Sequence, residues 1–373
     1  MRLDNNQKAF FALVKAGLWE QEIRLSQFGE IDFNEVYRLA EEQSVVGLVT
    51  AGFEHLTEGG APQEDVLQFI GLCLQLEQRN KAMNLFIEKI VDKMRDAGIY
   101  TILVKGQGIA QCYEKPLWRA AGDVDFFLNE QNYEKAKVFL KPLADVVETE
   151  NVYNKHQAMT MGLWEVELHG TMRSQLWWAI DRKIDEIQND TFYKGNVRAW
   201  RNGKTDIFLP SVDNDVIFIF THILQHFFHN GIGLRQVCDW CRLLWTYKDK
   251  IDRNLLESRL RYMGLMSEWK ALAALAVDTL GMPVAAMPFY SDKKKWKRKA
   301  NRIIAIIIET GNFGHNRDYS YYGKYPYVIR KFISLRRHTR DNVRHLAIFP
   351  MDSLKVWGRM VVYGMQIALQ GKF

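Results

Sequence analysis

Over the first 99 or so residues the apolar positions recur at helical spacing. Ala9, Phe10, Phe11, Leu13 and Val14 form one cluster, with Leu18 beyond Gly17. Asp32 and Asn34 stand as capping residues ahead of Val36, Leu39 and Ala40. Val66, Phe69, Ile70, Cys73, Leu76, Met83, Phe86, Ile87 and Ile90 draw a broad stripe that predicts a long helix over 64–97, stopped by Gly98. The pattern then changes. Ile102, Leu103 and Val104 are a continuous apolar run of strand length, broken by Gly106 and Gly108 before a further helix. A second strand carries Asp123 and Asp125. Residues 129–140 read as a helix capped by Asn129 or Asn132, and 145–150 as a strand. Residues 157–163 and 164–168 read as further strand with a bend near Gly162. From 211 the helical period returns. Residues 216–229 are strongly apolar, and 328–349 and 353–369 are amphipathic, the last with an apolar stripe running to Met365 and Leu369. The pattern predicts an α+β chain: an N-terminal helical region (1–99), a small mixed β-sheet core (100–210) and a C-terminal helical domain with a basic tail (211–373).

Hydrophobic residues make up 47% of the 373, enough for substantial cores, which excludes a chain that is disordered throughout. Residues 293–373 hold 18 Lys and Arg against 4 Asp and Glu, although the whole chain is only +6, so the remainder is net acidic. The basic end is a candidate surface for phosphate-rich partners: nucleic acid, anionic lipid at a membrane or a nucleotide-linked substrate. The alternative is a helical domain whose solvated faces happen to be basic. The four cysteines do not form a secreted disulfide framework. The first residues lack the apolar core of a signal peptide, and no apolar run reaches the length of a membrane span. The expected setting is the cytoplasm.

The chemistry begins at the second strand. Alternate side chains on a strand share a face, so Asp123 and Asp125 point the same way. Two carboxylates on one face repel each other and call for a cation between them. Oxygen ligands suit Mg²⁺, and a glycine turn lets backbone N–H groups approach a phosphate. On the later strand Trp164, Val166 and Leu168 alternate with Glu165, Glu167 and His169, which brings the three polar groups to one face.

At these residues the chain resembles the nucleotidyltransferase superfamily typified by DNA polymerase β. More narrowly, Leu103-Val104-Lys105-Gly106, Arg119 and Gly122-Asp123-Val124-Asp125 resemble the bacterial "uncharacterised nucleotidyltransferase" family. In that family the third carboxylate sits in an apolar-Glu-apolar-His pattern, matched by Val166-Glu167-Leu168-His169, with Glu165 as the rival ligand. One departure is Gln107, where the wider superfamily favours Gly or Ser. The resemblance implies transfer of a nucleoside monophosphate from an NTP such as ATP to an acceptor. The acceptor would be a sugar, a small metabolite, a protein hydroxyl or an RNA end. It implies Mg²⁺ or Mn²⁺ held by Asp123, Asp125 and Glu167. Nucleotide contacts would come from Lys105, Gly106, Gly108, Arg119, His169 and Arg235, and Glu167 or His169 would accept a proton.

Other features have two readings each. His222, His226 and His229 share a helical face, but the Glu of a zinc-peptidase helix is missing, so bonding to neighbouring chain or to a nucleotide is preferred to a metal. Arg235 meets a phosphate or pairs with Asp239 at i,i+4. Cys238 and Cys241 form a lone Cys-x-x-Cys within a helix. Gly311-Asn312-Phe313-Gly314-His315 is a tight turn with no role derivable from sequence. Two other functions stay open: a non-catalytic nucleotidyltransferase-fold protein that binds nucleotide or a protein partner, motivated by Gln107, and a nucleic-acid-binding protein led by the basic end.

Overall fold

The computed structural model describes residues 3–57, 60–317, 320 and 324–369. Four helices open the chain: α1 (Asn5–Trp19), α2 (Phe33–Glu42), α3 (Val46–Phe53) and α4 (Gln63–Asp96). Asp4 caps α1 in a capping box with Gln7, and Asp32 accepts from the Asn34 N–H to cap α2. The chain leaves α4 through Gly98 at φ 70°, a left-handed position where a side chain would be strained.

The core follows as β1 (Ile102–Val104), a five-residue α5 (Gly106–Ala110), β2 (Asp123–Phe127), α6 (Glu130–Leu140), β3 (Val146–Val147), β4 (His156–Met161) and β5 (Trp164–His169). Asn129 rather than Asn132 caps α6. The five strands form one mixed sheet in the order β1-β2-β5-β4-β3, with β2 and β5 parallel and the other pairs antiparallel. The strand expected over 145–150 shrinks to two residues. It is the outer edge of the sheet, both valines are exposed, and nothing apolar holds a longer pairing there.

Helix α7 (Trp178–Tyr193) then leads to a hairpin, β6 (Val197–Asn202) and β7 (Thr205–Pro210), closed by the two-residue turn Gly203-Lys204. The helical part comprises α8 (Val212–His229), α9 (Leu234–Thr246), α10 (Arg253–Met263), α11 (Met266–Ala274), α12 (Lys294–Thr310), α13 (Tyr327–Leu346) and α14 (Pro350–Leu369). The protein is an α+β fold with helices flanking the sheet. Met365 and Leu369 of the last apolar stripe lie outside the residues whose side chains are described. No helix among the described residues is long and apolar enough to cross a membrane.

Alternation along the strands sorts the sheet into two faces. Leu103, Val124, Phe126, Val166 and Leu168 pack on Met83, Ile87, Ile90, Val91 and Met94 of α4 and on Tyr133, Ala136 and Leu140 of α6. On the other face Ile102, Val104 and Phe127 join a core that includes Phe218, Ile219 and Ile223 of α8. Asp123, Asp125, Glu165, Glu167 and His169 occupy this second face. Covering the first face with α4 and α6 is what turns the acids toward α8.

Candidate active site

The parallel register of β2 and β5 sets Asp123 opposite Glu165 and Asp125 opposite Glu167. Ligand oxygens of Asp123, Asp125 and Glu167 all lie within 4.8 Å of one another. Glu165 is exposed and stands outside that group. Asp125 is only 2% exposed, so its charge must be met inside the protein. Lys105 meets it: Nζ lies 2.6 Å from Asp125 Oδ1. His169 Nε2 lies 2.8 Å from the same oxygen and 3.2 Å from Glu167 Oε2. His156 Nε2 lies 3.2 Å from Glu167 Oε2.

The electrostatics follow from this packing. The neighbouring charge of Asp125 pushes the Asp123 carboxyl above its ordinary range, and burial adds to it. Burial opposes the charge on Glu167, but hydrogen bonds from His156 and His169 outweigh it and hold the carboxyl far below the usual range. Burial also works against charge on His169 and Lys105. Hydrogen bonds to Asp125 and Glu167 leave His169 raised, and the fields of Asp125, Asp123 and Glu167 leave Lys105 raised.

The turn before α5 aims the lysine. Lys105 itself sits at φ 56°, ψ −142°, followed by Gly106 at φ 36°. A side-chain-bearing residue in such a sparsely populated conformation costs on the order of 1–3 kcal/mol and persists only where its surroundings fix it. Gly106 lines the cleft beside Asp123 and Asp125. Gly108 does something else. It is buried in α5, and a Cβ there would come within 2.8 Å of Leu209 Cδ2, so the glycine lets α5 pack on β7. Gln107 points into the protein, with Nε2 donating to Asn80 Oδ1 at 2.9 Å. The departure from Gly or Ser therefore lies on the α4 side, away from the acids.

Two arginines divide the remaining work. Arg119 donates from Nε and Nη2 to the two oxygens of Asp239 at 3.1 and 2.6 Å, and Tyr113 donates to Asp239 Oδ1 at 2.7 Å. This buried cluster ties the segment before β2 to α9. The i,i+4 pair of Arg235 with Asp239 is not made, because Asp239 is taken by Arg119. Arg235 donates from Nη1 to the Ala120 carbonyl at 2.6 Å, while its Nε is buried without a hydrogen-bond partner among the described residues. Lys105, Gly106, Asp123, Asp125, His222 and Arg235 line one cavity of about 40 Å³. A larger hollow beside α1, about 770 Å³ and lined by Lys15, Gln21, Glu22 and Arg24 among others, lies apart from these acids.

The family described as uncharacterised nucleotidyltransferase matches residues 29–281. The chain belongs to that family. No curated protein and no solved structure matches it. The matched part runs from just before α2 to just past α11 and takes in the whole sheet.

Around the acid group, sequence reasoning passed over His156. The signal was in the pairing: β4 runs antiparallel to β5 with Ala158 opposite Glu167 and His156 opposite His169, which sets its ring 4.9 Å from that of His169. Among the described residues ligand atoms converge in two overlapping groups, Asp123–Asp125–Glu167 and His156–Glu167–His169. His222, His226 and His229 form no third. The His222 and His226 rings lie 4.4 Å apart on the cleft side of α8. Burial drives His222 well below its ordinary value and His226 down to about 3, so both are neutral at pH 7. His229 turns to its own helix, with Nδ1 2.7 Å from the Gln225 carbonyl. Cys238 and Cys241 are buried within α9.

Proposed function

We propose that this family member transfers a nucleoside monophosphate from an NTP to an acceptor hydroxyl or phosphate, in a reaction that depends on Mg²⁺ or Mn²⁺. The observation that carries the reading is the convergence of Asp123, Asp125 and Glu167 on one sheet face, beside Lys105 and an Arg235 whose Nε has no partner among the described residues. The donor set fits a hard divalent cation, being all carboxylate oxygen. The ammonium of Lys105 among these carboxylates is a stand-in for such a charge. When bound, the metal would supply Lewis-acid stabilisation of charge at the α-phosphate and would lower the pKa of the attacking group.

The chain's own residues do the rest. Asp123, Asp125 and Glu167 hold the cation. His156 and His169 fix the Glu167 carboxylate, much as partners of metal ligands fix their orientation. His169, 3.2 Å from Glu167 Oε2 and 2.8 Å from Asp125 Oδ1, positions these carboxylates. Arg235, with a buried Nε to satisfy, and Lys105 contact the triphosphate beside Gly106. Arg119 acts one step removed, by holding α9 and hence Arg235 in place. The motive for a non-catalytic reading weakens, since Gln107 points away from the cleft.

A panel of labelled NTPs, each incubated with purified protein, Mg²⁺ or Mn²⁺ and a set of sugars, metabolites, proteins and RNAs, tests the reading. The expected result is divalent-dependent NTP binding, pyrophosphate release and label on one acceptor class. Absence of any divalent-dependent NTP binding would overturn it.

A further inference from the structure

The turn at 311–315 lies beyond the matched residues and takes no part in the chemistry above. At its centre Phe313 sits at φ 51°, ψ 28°, a left-handed conformation that bulky residues rarely adopt. The surroundings hold it there. Asn312 Nδ2 donates to Ser44 Oγ at 2.7 Å, and Gln236 Nε2 donates to Asn312 Oδ1 at 2.7 Å. One residue past the turn, Asn316 Nδ2 donates to Glu42 Oε2 at 2.9 Å. The turn is thus clamped to α2 and α9 on either side of the ring.

Core packing does not account for this arrangement, because Phe313 remains 41% exposed. Its ring lines the same cavity as Lys105, Asp123, Asp125 and Arg235. The His226 ring lies 4.7 Å away at 67°, and the Arg235 guanidinium lies 6.0 Å from the ring centroid. An aromatic surface, partly open and flanked by a guanidinium, stands at a cavity whose floor is acid. Bases stack on such surfaces while their phosphates run to neighbouring cations.

We propose that Phe313 is the stacking platform of a nucleobase subsite, which rests on the nucleotide reading of the acid cleft. The base lies on the open part of the ring, and the phosphates extend toward Arg235 and Lys105. Stacking uses the π-face that every base has, so the subsite favours nucleotides over base-free phosphates without reading a particular base strongly.

The test uses the full chain with Mg²⁺ and measures binding of ATP, CTP and inorganic tripolyphosphate. Phe313→Ala should lose roughly tenfold in ATP affinity, lose affinity for CTP as well, and keep its tripolyphosphate affinity. Phe313→Tyr, which preserves the ring, should keep ATP affinity. Phe313→Gly suits the left-handed backbone, so it should melt no lower than the parent while sharing the ATP defect, which separates lost stacking from lost folding. Unchanged ATP binding by Phe313→Ala, or equal losses for ATP and tripolyphosphate, would overturn the subsite alone. A parent protein that binds neither ATP nor tripolyphosphate would overturn the subsite together with the nucleotide reading.

Discussion

Lys105 is the residue on which the site turns. Its Nζ sits 2.6 Å from a carboxylate that is almost fully buried, in a backbone conformation that few lysines adopt. In the apo protein it is the counter-charge that two adjacent aspartates require. Lys105→Met should therefore lower stability without metal, by up to about 3 kcal/mol, since it leaves a buried carboxylate short of a partner. The same change removes a competitor for the site, so the gain in melting temperature on adding Mg²⁺ should be larger than in the parent. Differential scanning calorimetry with and without Mg²⁺ reads both effects, and an unchanged or smaller Mg²⁺ gain would count against the placement of the cation. The shared face of Asp123 and Asp125 was legible from alternation, whereas the choice of Glu167 over Glu165 came from the apolar-Glu-apolar-His pattern of the resembled family. The destination of Lys105 was not, because a φ of 56° is imposed by the fold around the turn rather than by the residue. The surroundings of Gly108 and Gln107 were not legible for a related reason: they depend on Leu209 and Asn80, which the chain brings to them from far away in sequence.

At the level of elements, two pairs of side chains join distant segments. Arg119 and Asp239 are both nearly inaccessible and make a bidentate contact between the entry to β2 and α9. Arg119→Ala should cost about 3–5 kcal/mol, most of it from the carboxylate left unpaired. Urea denaturation measures this, and a loss below about 1 kcal/mol would show that the pair is not a strut. Sequence spacing offered Asp239 only Arg235 at i,i+4, itself one of two readings of that arginine, since pattern alone cannot see a partner 120 residues away. The second pair joins α11 to α14. Glu268 is buried, and burial, with the negative charge of Asp352 beside it, raises its carboxyl well above the ordinary value. A folded-state pKa above the unfolded one gives stability that is present below the unfolded value and is lost as pH rises through the folded one. Glu268→Gln removes that dependence. Its melting temperature should match the parent's near about pH 4 and exceed it near about pH 8. An equal offset at both pH values would contradict the assignment. The helices and the mixed sheet were readable from periodicity, and so was the Asn129 cap. The β6–β7 hairpin was not anticipated, although Gly203 at the first position of a two-residue loop between alternating runs is a hairpin signal.

Over the whole molecule, the fold builds the site by covering one sheet face with α4 and α6 and leaving the other to face α8 and α9 across a small cavity. The basic C-terminal part adds to this by contact. Val356 is buried, Arg359 Nη1 lies 2.8 Å from Asp181 Oδ2 on α7, and Lys355 Nζ lies 5.6 Å from the Trp177 ring centroid. These contacts pack the first half of α14 against the rest of the chain. Turn 311–315 reaches the cavity from the same part of the chain, a juxtaposition no local pattern encodes. The central claim is that the three carboxylates hold a divalent cation for nucleotidyl transfer, and Asp125→Asn tests it most directly. The change keeps size and shape, removes one charge and weakens a site of hard oxygen ligands. Divalent-dependent NTP binding and pyrophosphate release should be measured on the parent and on folded Asp125→Asn under the same conditions. The parent should require Mg²⁺ or Mn²⁺ for both, and the variant should lose on the order of a hundredfold or more in turnover. A folded variant that binds Mg²⁺–NTP as tightly as the parent and turns it over at the same rate would contradict the account.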